Sequence, residues 1–244
     1  MPERRFHRVF FAAARIACQQ VALAYHPGRM LEKRNIWLPV VLLLVFAATR
    51  WPGLMPLNFS AAYALFFCAG IYFRDRLSWW IPFAVLIVTD LLLNVYYAAR
   101  GHDAFQWYQV MNYISYALIF FLGRRFRPGT RLVKIVAGGV LAGLLFYIVT
   151  NTAAWLLNPF QNPEYASKTF ASWILALTKG VGGWPQTWEF FRNTLLSSGL
   201  FTALFAGAMK YSEHLESATE KKAGEAAEDA EDADGDAEEA KAGS

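Results

Sequence analysis

The sequence predicts an all-α, polytopic membrane protein built as a bundle of six transmembrane helices. Three observations predict it. The 244-residue chain is 56% hydrophobic and 16% aromatic but only 17% charged, which is a membrane composition. Its apolar residues gather into six stretches. The basic residues between those stretches alternate from one side to the other, as the positive-inside rule requires.

The first helix is expected at Ile36–Thr49, with Arg34 and Arg50 able to snorkel from its ends. The second, Phe59–Phe73, is rich in Ala and Gly. The third is Trp79–Ala98, the fourth Tyr108–Leu122, the fifth about Leu132–Leu157 and the sixth about Trp188–Tyr211. A span needs about 20 apolar residues, with a range of about 17–25. The first two fall short of that and are retained because the loop charges alternate only if both cross.

Arg29, Lys33 and Arg34 precede the first helix, and Arg74 and Arg76 join the second to the third. Arg124, Arg125, Arg127, Arg131 and Lys134 join the fourth to the fifth, and Lys210, Lys221 and Lys222 follow the sixth. The opposite loops carry only Arg50, Arg100, Lys168 and Lys179. Both termini are therefore expected in the cytoplasm, with the chain in the inner (cytoplasmic) membrane and the lipid bilayer as its surroundings.

Three regions follow: an arm at 1–35, the membrane domain at 36–211 and a tail at 212–244. The arm interrupts its apolar residues with Arg15, Gln19 and Gln20, unlike a signal peptide. Two readings of it stand, a basic amphipathic helix on the membrane surface or a start at Met30. The tail holds 12 acidic and 3 basic residues, a net of −9, leaving +13 on the rest of a chain whose total is +4. Being low-complexity Ala, Glu and Asp without an aromatic residue, it is expected to be disordered in the cytoplasm. The positive charge sets membrane orientation, and nucleic acid is not an expected partner.

Asp90 stands out inside the third apolar stretch. A carboxylate at that depth costs about 2.5–3.5 kcal/mol, so it normally faces a protein interior or a wet cavity. Asn94 lies one turn further on the same face. With the orientation above, Asn112, Tyr113, Tyr116, Thr150, Asn151, Trp155, Arg192 and Asn193 all fall toward the external ends of their helices, while the inner halves are apolar or small. The reading is an outward-facing pocket. Asp90, Asn94, Asn151 and Arg192 meet a solute's polar groups, and Tyr113, Tyr116, Trp155 and Trp184 cover its apolar faces. The external loop from Asn158 to Thr187 carries the apolar piece Phe170–Leu177 and a Gly182-Gly183-Trp184 turn. The piece is read as an interfacial or re-entrant segment lidding the outer face, or the whole as an ordinary surface loop with a membrane-hugging helix.

Plainer readings exist for each residue. Asn and Thr within spans often only bond neighbouring helices. Trp and Tyr at span ends often form only an interfacial belt. Asp90 and Arg192 are candidates for a structural ion pair. Gly139 with Gly143, and Gly199, Ala203 and Gly207, have small-xxx-small spacing, which serves packing within one bundle or a dimer.

Enzyme chemistry is not expected. No GxSxG, HExxH or Walker sequence occurs, and neither the two cysteines nor the four histidines have metal-ligand spacing. No catalytic residue, metal or cofactor is assigned.

LNFSAAYALFFCAGIYF, VTDLLLN, FYIVTNTAAWLLNP and WPQTWEFFRNTLLSSGLFTALFAG together resemble a family of bacterial inner-membrane proteins whose plan is similar to that of the substrate-capture (S) subunits of energy-coupling-factor (ECF) transporters. The resemblance covers roughly residues 36–210. It implies six helices, an external pocket for a small molecule, and a cytoplasmic ATPase module with a membrane coupling subunit as partners. The docking face that such subunits carry on their first helix is weak here, since Ile36–Thr49 has small residues only at Ala47 and Ala48.

The leading expectation is a multi-pass protein that binds or takes up a small solute of the vitamin, nucleobase or metabolite class. A structural or assembly subunit of a membrane complex is the second reading. A lipid-acting membrane enzyme using Asp90, with Glu189 as the one available partner, is the third.

Overall fold

The structure, a computed structural model, describes residues 37–73, 80–101, 107–183 and 185–242. The arm at 1–35, the Arg74/Arg76 loop and Trp184 lie outside them. Among the described residues the protein is all-helical, with no strand. Seven α-helices follow one another: α1 (Trp37–Thr49), α2 (Ala62–Tyr72), α3 (Trp80–Ala98), α4 (Val110–Gly123), α5 (Leu132–Leu157), α6 (Phe170–Thr178) and α7 (Thr187–Ala242). Single 3-10 turns at Trp107–Gln109 and Pro163–Tyr165 lead into α4 and α6.

The core is organised around α2. All eleven of its residues are buried, and it packs against α1, α3, α4, α5 and α7. Its sequence, AYALFFCAGIY, is apolar on every side, so no face gains from meeting water. Small residues set its approach to α4. A Cβ placed on Gly70 would lie 2.2 Å from the Phe120 carbonyl oxygen, and one on Gly123 would lie 2.2 Å from that of Phe67. The same device joins α5 to α7, where Gly139 and Gly143 receive the side chains of Thr202 and Ser198. The Gly139/Gly143 spacing is thus occupied within the bundle. Gly207, in the second set, has nothing near it.

Helix length bears out two of the six expected spans. Among the described residues, α3 and α5 are both long and apolar enough to cross a membrane by themselves, and α1, α2 and α4 are shorter apolar helices. At about 1.5 Å per residue, α2 covers roughly 17 Å. Its short length fits its place, because neighbouring helices surround it.

Two further elements bear on the expectations. The piece at Phe170–Leu177 is the helix α6, opened by a capping box between Thr169 and Ser172. The last helix passes Tyr211 and continues to Ala242, so the backbone expected to be disordered at 212–242 is helical. The Ala, Glu and Lys that cannot build a core are strong helix formers, and that local preference carries the helix onward.

The outside of the bundle is apolar. Ile87, Leu91 and Val95 of α3, Ile114, Leu118 and Phe121 of α4, Val133, Leu141 and Ile148 of α5, and Leu196, Leu200 and Leu204 of α7 are all exposed. They recur at three-, four-, seven- and eight-residue intervals, forming stripes on helix faces. A bundle in water carries polar residues on such faces.

Candidate functional site

At one end of the bundle, α1 turns back into α2. Pro52 and Gly53 follow Arg50-Trp51, and Gly53 has φ 81°, in the left-handed region that glycine adopts without strain. The Thr49 hydroxyl donates to the Phe46 carbonyl (2.9 Å) and accepts from the Ala61 N–H (3.1 Å), clipping the end of α1 to the start of α2. The Asn193 amide of α7 donates to the Leu57 carbonyl (2.9 Å), pinning the same turn from another side.

This turn places Arg50 beside α3, where its Nη2 donates to Asp90 Oδ1 in an ion pair. The side chains are 14% and 20% exposed. The Phe46 ring lies 5.6 Å from the guanidinium carbon. Arg50 Nε is buried without an acceptor. Tyr113 stands next to Asp90, and Tyr116 next to Arg50. A cation immediately past the last residue of α1 is also favoured by the partial negative charge of a helix C-terminus.

Next to the pair is a cavity of about 450 Å³. Its walls come from the end of α1 and the following turn (Thr49, Arg50, Asn58, Ser60), from Tyr63 of α2, from Asn112 and Tyr116 of α4, from Phe146, Thr150 and Asn151 of α5, and from Phe190 of α7. The aromatic wall is a packed cluster. Tyr116 stacks on Phe66 at 4.7 Å, Phe146 lies 4.8 Å from Tyr63, and it lies 5.1 Å from Tyr116. Among the described lining residues Arg50 alone carries a charge.

Several polar groups on the wall are already engaged. The Asn151 amide N–H donates to the Tyr147 carbonyl (2.8 Å), and the Thr150 hydroxyl donates to that of Phe146 (2.8 Å). The Tyr63 hydroxyl donates to the carbonyl of Asn58 (3.3 Å). Asn151 keeps its amide oxygen and its second N–H for other partners.

The structure brings Asn112, Tyr116 and Asn151 onto the cavity wall, while Asp90, paired with Arg50, and Tyr113, beside Asp90, are not among the lining residues. It places the other expected residues elsewhere. Asn94 Oδ1 accepts from Gln109 (3.4 Å). The Trp155 indole donates to Ser172 Oγ (2.9 Å) and, with the Trp173–Thr152 bond (2.9 Å), fastens α6 to α5. Asn193 serves the turn as described. Arg192 is exposed, 5.5 Å over the Trp188 ring, and the partner of Asp90 is Arg50 instead. The α7 position explains this: Thr194 is buried toward the core, which turns Arg192, about 200° away around the helix, outward.

Arg50 is the residue of this candidate site that sequence reasoning did not single out, reading it as a snorkelling end residue. Two signals pointed to it. It is a basic residue on the side poor in basic residues, and it ends a helix too short to carry it to the interface.

Residues 30–220 match the model of a family of unknown function, DUF6580. No curated protein and no solved structure matches the chain.

Proposed function

We propose that this chain, which belongs to the DUF6580 family, is a multi-pass inner-membrane protein that captures a small solute from the external side in the cavity beside Arg50. The observation that carries the reading is the cavity itself. It is about 450 Å³, walled by tyrosines and phenylalanines and punctuated by Arg50, Asn112 and Asn151. Small-molecule sites have this design, mostly apolar with few polar groups.

The membrane setting rests on the apolar outer faces, on the two helices of spanning length, and on the loop charges. In this reading α1 to α5 and the apolar first part of α7 all cross, and both termini are cytoplasmic. The cavity then opens externally, since Lys134 at the start of α5 and the arginines before it mark the opposite end. A plan like that of an ECF S subunit belongs to the same proposal, with an ATPase module and a coupling subunit as the partners that would drive uptake.

The test is native mass spectrometry of the protein purified from its own host in mild detergent. The expected result is a reproducible bound small molecule, lost in Asn112→Leu/Asn151→Leu. An empty protein would overturn the reading. One holding a stoichiometric partner other than an ATPase module would favour an assembly subunit, for which the helix running past Tyr211 to Ala242 is the contact candidate.

A further inference from the structure

We infer that the cavity takes a small organic monoanion, a carboxylate on an aromatic or otherwise apolar body, with Arg50 as the recognising group and Asp90 as the residue that positions it. The inference rests on the solute-binding reading above and names the ligand class of that site.

The charge on the wall decides the sign. Arg50 lines the cavity, whereas its partner Asp90 does not. A solute thus meets the cation first. The guanidinium has five N–H donors in a fixed fork. One nitrogen, Nη2, serves Asp90, while the neighbouring Nε is buried with no acceptor. A buried donor without a partner is costly, and an acceptor oxygen entering beside Asp90 would satisfy it.

The charge number follows from the same pair. The Arg50–Asp90 pair is already neutral, so a monoanion leaves one uncompensated charge against a largely apolar wall and a phosphate dianion leaves two, which favours the monoanion. A cationic solute would have to pass Arg50 to reach Asp90. The body of the ligand is set by Tyr63, Tyr116 and Phe146, whose rings offer flat apolar surface. Asn112 and Asn151, also on the wall, supply neutral hydrogen-bonding groups for a polar substituent on the ligand.

The experiment uses three probes with the same ring system, 2-naphthoate, 2-naphthamide and 2-naphthylmethylammonium, on the full-length protein in mild detergent, with affinities from calorimetry and thermal shift. Naphthoate is expected to bind at least about tenfold more tightly than the amide, the worth of one charge-assisted hydrogen bond, and the ammonium to bind weakest. Arg50→Lys keeps a cation for Asp90 but loses the fork. It should weaken naphthoate by about tenfold or more with little change in unfolding temperature. Asp90→Asn should lower the unfolding temperature yet raise the naphthoate-to-naphthamide preference, because Arg50 no longer shares its charge. A purely structural Asp90 would leave that preference unmoved.

Equal binding of naphthoate and amide, or tightest binding of the ammonium, would overturn the anion assignment while leaving a binding cavity. Failure of all three probes would also overturn it. The cavity reading itself then stands or falls on the co-purified molecule.

Discussion

Arg50, the first residue past α1, and Asp90, forty positions later in the second half of α3, form an ion pair that ties the rim of the cavity to the bundle. The pair answers the cost of a carboxylate in an apolar helix. It also converts a turn between two short helices into a fixed wall.

Breaking the pair from either side should be costly, and removing both charges much less so. Arg50→Met and Asp90→Leu are each expected to destabilise the protein by about 3 kcal/mol, the low end for a buried pair because both side chains keep some exposure. The double variant should recover most of that loss. A double-mutant cycle on unfolding in detergent checks this. Additive losses would show that the pair is not coupled.

The glycine contacts predict a sharp contrast along the sequence. Gly70→Val drives a side chain into the Phe120 carbonyl, a backbone atom that cannot rotate away, and Gly143→Val collides with Ser198. Overpacking of this kind costs at least about 1–3 kcal/mol. Gly207→Ala meets nothing within 4 Å and should raise stability by about 0.5–1 kcal/mol through helix propensity. Yields of monodisperse protein and unfolding temperatures rank the three.

Thr202 is fully buried, and its hydroxyl has no hydrogen-bond partner. Thr202→Val keeps the shape that fills the notch at Gly139 and removes the orphaned group. It is expected to be neutral or to stabilise by up to about 1 kcal/mol. A clear loss of stability would mean that the hydroxyl finds a partner in the folded protein.

Orientation has its own test. In a background with Cys18 and Cys68 replaced by Ala, a cysteine at exposed Leu54 should react with an impermeant maleimide in intact spheroplasts. One at Gly129, in the arginine-rich turn between α4 and α5, should react only in inside-out vesicles. The reverse pattern would place the cavity on the cytoplasmic side.

Much of the fold was legible because apolar runs mark helices directly. The limits of α1 and α5 match the sequence expectation within a residue. The end of α7 does not, since apolar patterning stops at Tyr211 while Ala and Glu propensity carries the helix on. In the site, Asn112, Tyr116 and Asn151 were found by depth alone. Arg192 and Trp155 shared that depth but face elsewhere, one toward the exterior and one toward α6.

The sequence by itself determined that the chain is helical, where its apolar helices lie, and that its polar residues gather at one end of them. Those properties belong to composition and to position along a helix, and each is local. Only the tertiary structure decided that α2 is the centre, that Gly70 meets Gly123, and that Asp90 meets Arg50 rather than Arg192. The physical reason lies in the helices themselves. One that is apolar on every side carries no amphipathic stripe to say which face turns inward, so partners separated by forty residues are chosen by the fit of small residues against neighbouring backbones.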